Sequence, residues 1–249
     1  MRKLFVTSLM MVLAVAGDLA AQDEPANANR EARQIVRQGI RAMGGREALN
    51  KAKASTWKER GTYHGMGDGL PYTGEYAIEW PGKFKMEISD VFTIVLDGKQ
   101  GWMGTSGMVQ ELTGDELKEQ QEQLHSGYVT SLLFLGEDGY KLEKLADAEV
   151  DGKPAAVVKV SHEGHRDVKL FFDPQSRLLV KAEYRLKSPE LGGQEVTEEA
   201  FLRDYHEVEG LKVPGKTLLH RDGQKFVEAE YYDMTFPDKL EANVFAKPE

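Results

Sequence analysis

The sequence predicts an α+β fold built on one strongly curved antiparallel sheet, an incomplete β-barrel of about eleven to thirteen strands. Three observations support this prediction. Apolar and polar residues alternate with period two through most of the chain after Ser55, which is typical of strands with one buried face. Turn signals such as Pro81-Gly82 and Asp97-Gly98 separate the strands. Helical periodicity is confined to an N-terminal pair and one central insertion, which we expect to cover the sheet.

The clearest strand pair lies between Val168 and Leu186. Asp173-Pro174-Gln175-Ser176-Arg177 separates its two arms, and this composition predicts a turn between antiparallel strands. Alternation assigns one face of the pair to Val168, Leu170, Phe172, Leu178, Val180, Ala182, Tyr184 and Leu186. A two-stranded hairpin is marginal in isolation, so we expect it to join the larger sheet.

The N-terminus predicts secretion. Arg2-Lys3 precede an apolar run and small residues follow near Ala21, the pattern of a signal peptide spanning residues 1–21. The run is too short to cross a bilayer. Residues 22–28 are polar and aperiodic, so we interpret them as a disordered tether. Residues 29–249 then form a single half-barrel domain, and we expect a periplasmic protein with no stable membrane span in the mature chain.

Two stretches have helical spacing. From a candidate N-cap at Asn29, apolar residues repeat on one face as far as Met43, before Gly44-Gly45 and a short second helix over 46–54. Thr113 and Glu116 resemble a capping box. They begin the central insertion, whose apolar stripe extends to Leu135, and we expect Gly127 to break this helix in two.

The charge balance is acidic. The formal charge is −9, and loss of Arg2, Lys3 and Asp18 with the signal peptide changes it to −10. This balance argues against nucleic acid and against an anionic membrane surface as partners, since both favour a basic patch. The chain contains no cysteine, and its sequence implies no cofactor.

Candidate catalytic motifs are weak. His162-Glu163-Gly164-His165, with Asp167 nearby, has two histidines on a predicted turn rather than on one helical face, so a polar turn is favoured over a metal site or a hydrolase. The stretch Gly101 to Gly107 lacks the ending of a phosphate-binding loop and the spacing of a nucleophile elbow around Ser106. We therefore predict no catalytic residues, no metal site and no enzymatic activity.

Large apolar side chains dominate the predicted inner face of the sheet. Such a set either fills the core or lines a cavity for an apolar ligand. The candidate lipid-binding residues are Trp57, Tyr76, Ile78, Trp80, Phe84, Met86, Ile88, Leu170, Phe172, Val180 and Tyr184.

Four segments, in this order, resemble the LolA/LolB-like superfamily of periplasmic lipoprotein carriers. They are Trp80 to Glu87, Thr93 to Trp102, Leu170 to Asp173 with Leu178-Leu179, and Asn243 to Pro248. The resemblance implies a half-barrel closed by helices around an apolar cavity. It also implies a non-enzymatic role in carrying an acyl chain, a lipid or a lipoprotein.

One position departs from that pattern. Carriers of this family typically have arginine before the Pro-Gly pair, whereas this chain has Trp80, so the role of that basic residue is not carried over. The alternative to a carrier is an envelope sensor or scaffold with a filled core that binds a protein partner.

Overall fold

The computed structural model describes residues 20–248, with side chains described from Ala28 onward. Three helices are present in this part of the chain: α1 (Ala20–Ala42), α2 (Gly45–Lys51) and α3 (Gly114–Thr130). A 3-10 turn, Ala242–Phe245, lies near the C-terminus, and another spans Pro189–Leu191. None of the described helices is long and apolar enough to span a membrane.

Sixteen strands make up most of the remaining chain. Their bounds are β1 (Ala54–Tyr63), β2 (Leu70–Glu79), β3 (Lys83–Ile88), β4 (Phe92–Asp97), β5 (Gln100–Thr105), β6 (Met108–Glu111), β7 (Lys141–Lys144), β8 (Ala148–Val150), β9 (Lys153–Ser161), β10 (Val168–Phe172), β11 (Leu179–Ser188), β12 (Gln194–Arg203), β13 (His206–Val208), β14 (Leu211–Val213), β15 (Lys216–Arg221) and β16 (Gln224–Thr235).

Fourteen strands form one antiparallel sheet, which confirms the predicted fold class of an unclosed, curved half-barrel. The order is β6-β5-β4-β3-β2-β1-β16-β15-β12-β11-β10-β9-β7, with β8 paired to β9. The strand number slightly exceeds the prediction, and β13 and β14 make a separate hairpin. The first strand in the chain, β1, pairs with the last, β16, and this pair lies in the interior of the sheet.

The start of helix α1 differs from the predicted start. It begins at Ala20 rather than at Asn29, so residues 22–28, expected to form a disordered tether, belong to a helix. The predicted signal peptide, residues 1–21, lies almost entirely outside the described residues. Polar composition misled the prediction because Ala and Glu are also strong helix formers.

The two faces of the sheet carry different covers. The concave face is covered by α1, by α3 and by the segment 131–135 that follows it. On the convex face of β4, Val95 packs with Ala77 and with Phe245 of the C-terminal 3-10 turn. The described helices, which were expected to cover the sheet, do not reach this outer face. The C-terminal segment covers it instead, because the chain returns to β3 and β4 after β16.

Candidate functional site

The concave face divides into two regions, and the first is filled. We call it the covered half: the inner faces of β9, β10 and β11 beneath α1 and the end of α3. Leu170 is 0% exposed and Phe172 is 2% exposed. Ala32, Val36 and Ile40 of α1 lie in the same core. Leu170 and Phe172, predicted to line a cavity, are therefore core residues with no surface open to a ligand.

The second region is partly open. We call it the open strip: six large, partly exposed side chains on the inner faces of β1 to β5, namely Trp57, Tyr76, Phe84, Met86, Phe92 and Met103. Trp57 stacks on Tyr76 with ring centroids 5.0 Å apart, and the Tyr76 and Phe84 rings lie 6.4 Å apart. Phe92 and Met103 are additions that strand pairing brings beside the predicted set, since Ile94 pairs with both Met86 and Met103.

Buried side chains lie beside the open strip on the same face of the sheet. Ile78, predicted as a lining residue, is 4% exposed and packs with Ile94, Leu96 and Leu124. Ile88 is likewise buried at the end of β3. Leu117 and Leu124 of α3 pack against this cluster, so α3 covers the part of the face where Ile78, Ile94 and Leu96 lie.

Trp80 joins the two regions, since it packs against both cores. Its ring lies 5.6 Å from that of Tyr128 in α3. A Cβ at Gly127 would lie 3.2 Å from Trp80 Cη2, so glycine here allows the close approach of helix and ring. Gly127 does not break the helix, which is continuous from Gly114 to Thr130.

Val180 is a wrong assignment. The pairing of β10 with β11 shifts between Phe171 and Phe172, where Phe171 faces Lys181 and Phe172 faces Leu179. This β-bulge turns Leu179 inward and Val180 outward. Val180 packs with Phe171 and Val157 in a separate cluster on the convex face, so it lines no part of the concavity.

The ring of Tyr184 lies on the concave face, and its hydroxyl joins a polar network with Glu198 and Arg221. Its hydroxyl donates to Glu198 Oε1 at 2.7 Å, and Arg221 Nε donates to Glu198 Oε2 at 2.8 Å. Burial, followed by the Glu198 charge, raises the pKa of Tyr184 well above its ordinary value. Tyr184 thus contributes a ring to the core and a hydroxyl to an ion pair.

Glu59 is a buried acid beside the open strip. It lies two residues beyond Trp57 on β1 and is 7% exposed. Burial raises the pKa of its carboxyl, against the lowering effect of a hydrogen bond that the Tyr72 hydroxyl donates to it. Sequence reasoning missed this residue, because alternation alone does not distinguish a buried glutamate from a strand-end polar residue.

Three histidines meet at the edge of α3. The His125 and His165 rings stack with centroids 3.7 Å apart, and His162 lies 5.8 Å from His125. Burial and the neighbouring His165 lower the pKa of His125 to about 4. Among residues 28–248, no group of three His, Cys, Asp or Glu side chains is arranged to hold a metal ion.

Two glutamates fasten α3 beside these histidines. Glu122 accepts from His165 Nδ1 at 2.7 Å, and Glu119 accepts from both terminal nitrogens of Arg166 at 2.7 and 2.8 Å. The turn predicted from His162 to Asp167 therefore anchors α3 to the sheet.

A surface cleft of about 750 Å³ lies outside the concavity. Trp80 and Phe236 reach its wall, but most of the lining is charged or polar and comes from α2 and the C-terminal segment, including Glu47, Lys51 and Asp238. This lining does not suit an acyl chain, because an apolar ligand needs predominantly apolar walls.

Comparison with solved structures identifies the fold. The chain is similar to a LolA superfamily protein from Nitrosomonas europaea, with a TM-score of 0.54 and 15% identity, covering 81% of this chain and 96% of that one. A DUF1329 family protein from Desulfovibrio piger gives a TM-score of 0.57 at 11% identity, covering 88% and 97%.

A third structure is a domain described as an outer membrane lipoprotein-sorting protein, from Vibrio parahaemolyticus. Its TM-score is 0.56 at 13% identity, covering 88% of this chain and 97% of that one. No family model and no curated protein matches the chain. At these identities the likeness identifies the fold alone, and the conclusion is that this chain has a LolA-like fold.

Proposed function

We propose that this protein is a non-enzymatic, periplasmic binding or transport protein of the lipoprotein-sorting type, which holds a single acyl chain of a lipid or lipoprotein in the open strip. The observation that carries the proposal is the contrast within one concave face. Large apolar side chains are fully buried under α1 but partly exposed along β1 to β5. Partly exposed aromatic and methionine side chains on a concave surface are what an apolar ligand would cover.

The size of the strip suits a chain-shaped ligand. Its residues lie on five adjacent strands, and a spacing of about 4.8 Å between strands gives a path of roughly 19 Å. Each methylene that leaves water contributes about 0.8 kcal/mol, so ten of them supply about 8 kcal/mol before the costs of association. Burial of a saturated acyl chain therefore contributes a free energy of the same order as the costs of association, roughly 4 to 15 kcal/mol.

The first test is whether the purified protein carries or takes up a lipid. We expect native mass spectrometry of the purified protein to detect a lipid or acylated peptide near one-to-one stoichiometry, or uptake of an added fluorescent fatty acid. A ligand-free mass together with no uptake would contradict the proposal.

A charge in the strip gives a sharper test. Met86→Glu puts a carboxylate among partly exposed apolar residues, where it can still reach water, so we expect at least a tenfold loss of fatty-acid affinity with the fold retained. Thr73→Glu is the matched control, since Thr73 is exposed on the convex face of β2 opposite Arg60. Equal affinity of the two variants would contradict an acyl site in the strip.

A protein partner is the second candidate function, and the free edge of the sheet favours it. Strand β6 ends the described sheet at one side, and its Met108 is 71% exposed. Edge strands can pair with an extended peptide of another chain. Replacing Val109 by proline would remove a backbone donor from this edge, and a partner captured by the wild type alone would support this alternative.

A further inference from the structure

Helix α1 concentrates positive charge on one line. Arg30, Arg37 and Arg41 are exposed, and Gln34 and Gln38 lie between them. At 1.5 Å per residue the three arginines span about 16 Å, and their positions fall within a narrow sector of the helix. We call this surface the arginine stripe. It lines a shallow depression of about 280 Å³.

The three arginines of the stripe are not neutralised by ion pairs with described side chains. Arg30, Arg37 and Arg41 form no ion pair with any side chain that the structure describes. Elsewhere in the described chain, cations such as Lys181 and Arg221 pair with glutamates. The overall charge of −9 hides this local concentration.

The stripe has a defined direction relative to the concavity. Ala32, Val36 and Ile40 occupy the opposite face of α1 and fill the covered half. Because α1 packs on β7 and β9, its outer face points away from these strands, whereas the open strip lies on β1 to β5, toward the other end of the strand order. The stripe is therefore a separate exposed surface from the open strip.

We propose that the arginine stripe docks the protein on an anionic phospholipid bilayer. Guanidinium groups form bidentate hydrogen bonds with phosphate. The lining consists of arginine and glutamine only, without the aromatic or apolar centre typical of protein interfaces. A straight row of equal cations fits a flat array of phosphates, and a role of this docking in lipid delivery rests on the proposed acyl-chain function.

Vesicle sedimentation tests the docking. We use the full chain with vesicles of phosphatidylcholine alone or with added phosphatidylglycerol, at low and at high salt. We expect binding only to the anionic vesicles. This binding should weaken as salt rises, because the Debye length falls to about 3 Å at 1 M salt. The triple variant R30Q/R37Q/R41Q should lose about fivefold in partition coefficient per arginine, about a hundredfold in all.

The matched control removes the same charge elsewhere. K99Q/K153Q/K212Q changes three exposed lysines outside α1, and we expect its partition coefficient to stay close to that of the wild type. Equal losses in both variants would overturn the proposal, because net charge alone would then explain binding. Equal binding of the wild type to neutral vesicles would also overturn it.

Two further outcomes separate this inference from others. If the wild type ignores both vesicles but binds polyglutamate through the three arginines, the stripe serves an acidic protein and the membrane proposal is wrong. The arginine variant should bind fluorescent fatty acid as the wild type does. If neither protein binds the fatty acid while vesicle binding still depends on the arginines, the docking stands and the acyl-chain function fails.

Discussion

The covered half and the open strip lie on the same face of one sheet and have the same sequence pattern, yet only one of them is filled. Leu170 and Phe172 are sealed by α1, whereas Phe84 and Met86 stay partly exposed beneath α3. Alternation therefore identifies which side chains point inward, and the helix above them decides whether they are buried or stay partly exposed.

The two helices differ in what they bring to the sheet. Small residues let α1 approach closely: a Cβ on Gly39 would lie 2.6 Å from Phe172 Cε1. Helix α3 contributes Leu117 and Leu124 to the strip, and its Glu119 and Glu122 are committed to Arg166 and His165. Close packing seals the first region, and a polar attachment leaves the second one partly open.

The strongest test of this contrast is a pair of phenylalanine truncations. Phe172→Ala should lower the free energy of unfolding by about 3–5 kcal/mol, because it leaves a cavity in a sealed core. Phe84→Ala should cost less than half of that, about 1–2 kcal/mol, since its ring is already partly in water. Urea denaturation measures both, and fatty-acid titration should show the opposite ranking. Equal stability losses would mean that the strip is core.

Glu59, the buried acid beside the open strip, makes the stability of this region depend on pH. The pKa of Glu59 is raised in the folded state, so its contribution to stability is present below the ordinary carboxyl value of 4.5 and is lost as pH rises through the raised value. We expect Glu59→Gln to be more stable relative to the wild type at neutral pH than at pH 4.5.

The slope of that difference is bounded at about 1.4 kcal/mol per pH unit for one group. Denaturation of the wild type and the variant across this range measures it. Glu198→Gln is a useful comparison, because Glu198 is also buried but is paired with Arg221. A flat difference between the wild type and Glu59→Gln would show that the carboxyl titrates normally.

The smallest expected effect concerns the attachment of α3. The pKa of His125 is lowered to about 4 from an ordinary 6.5, so the stabilising effect of the neutral ring is present above pH 6.5 and is lost as pH falls toward 4. The groups that face His125 are Glu122, His162, His165 and Tyr140. We expect His125→Gln to lose less stability than the wild type between these pH values, and parallel curves would contradict this.

The sequence was sufficient for the fold class and for most inward-facing residues, because strand alternation is a local property. It misplaced Val180, since the β-bulge shifts the alternation at the start of β11 and has no composition signal, whereas Ala182 and Tyr184 keep the predicted face. It also could not separate Phe172 from Phe84, because burial depends on α1, which lies far away in the chain.

Other features of the candidate site arise only on folding. His125 of α3 meets His162 and His165 across about forty residues of sequence, and Glu59 becomes buried only because β1 lies centrally, between β2 and β16. Neither His125 nor Glu59 belongs to a sequence motif. The only related feature in the sequence is the pair of histidines at 162 and 165.

Helix α3 has its two ends in different environments. Tyr128 and Val129, near its C-terminal end, belong to the core under α1, whereas Leu117 rests on the partly exposed strip. The N-terminal half is held as well, because Glu119 accepts hydrogen bonds from Arg166 and Glu122 accepts one from His165. With both halves attached, α3 is a static cover, and the partial exposure of Phe84 and Met86 does not require it to move.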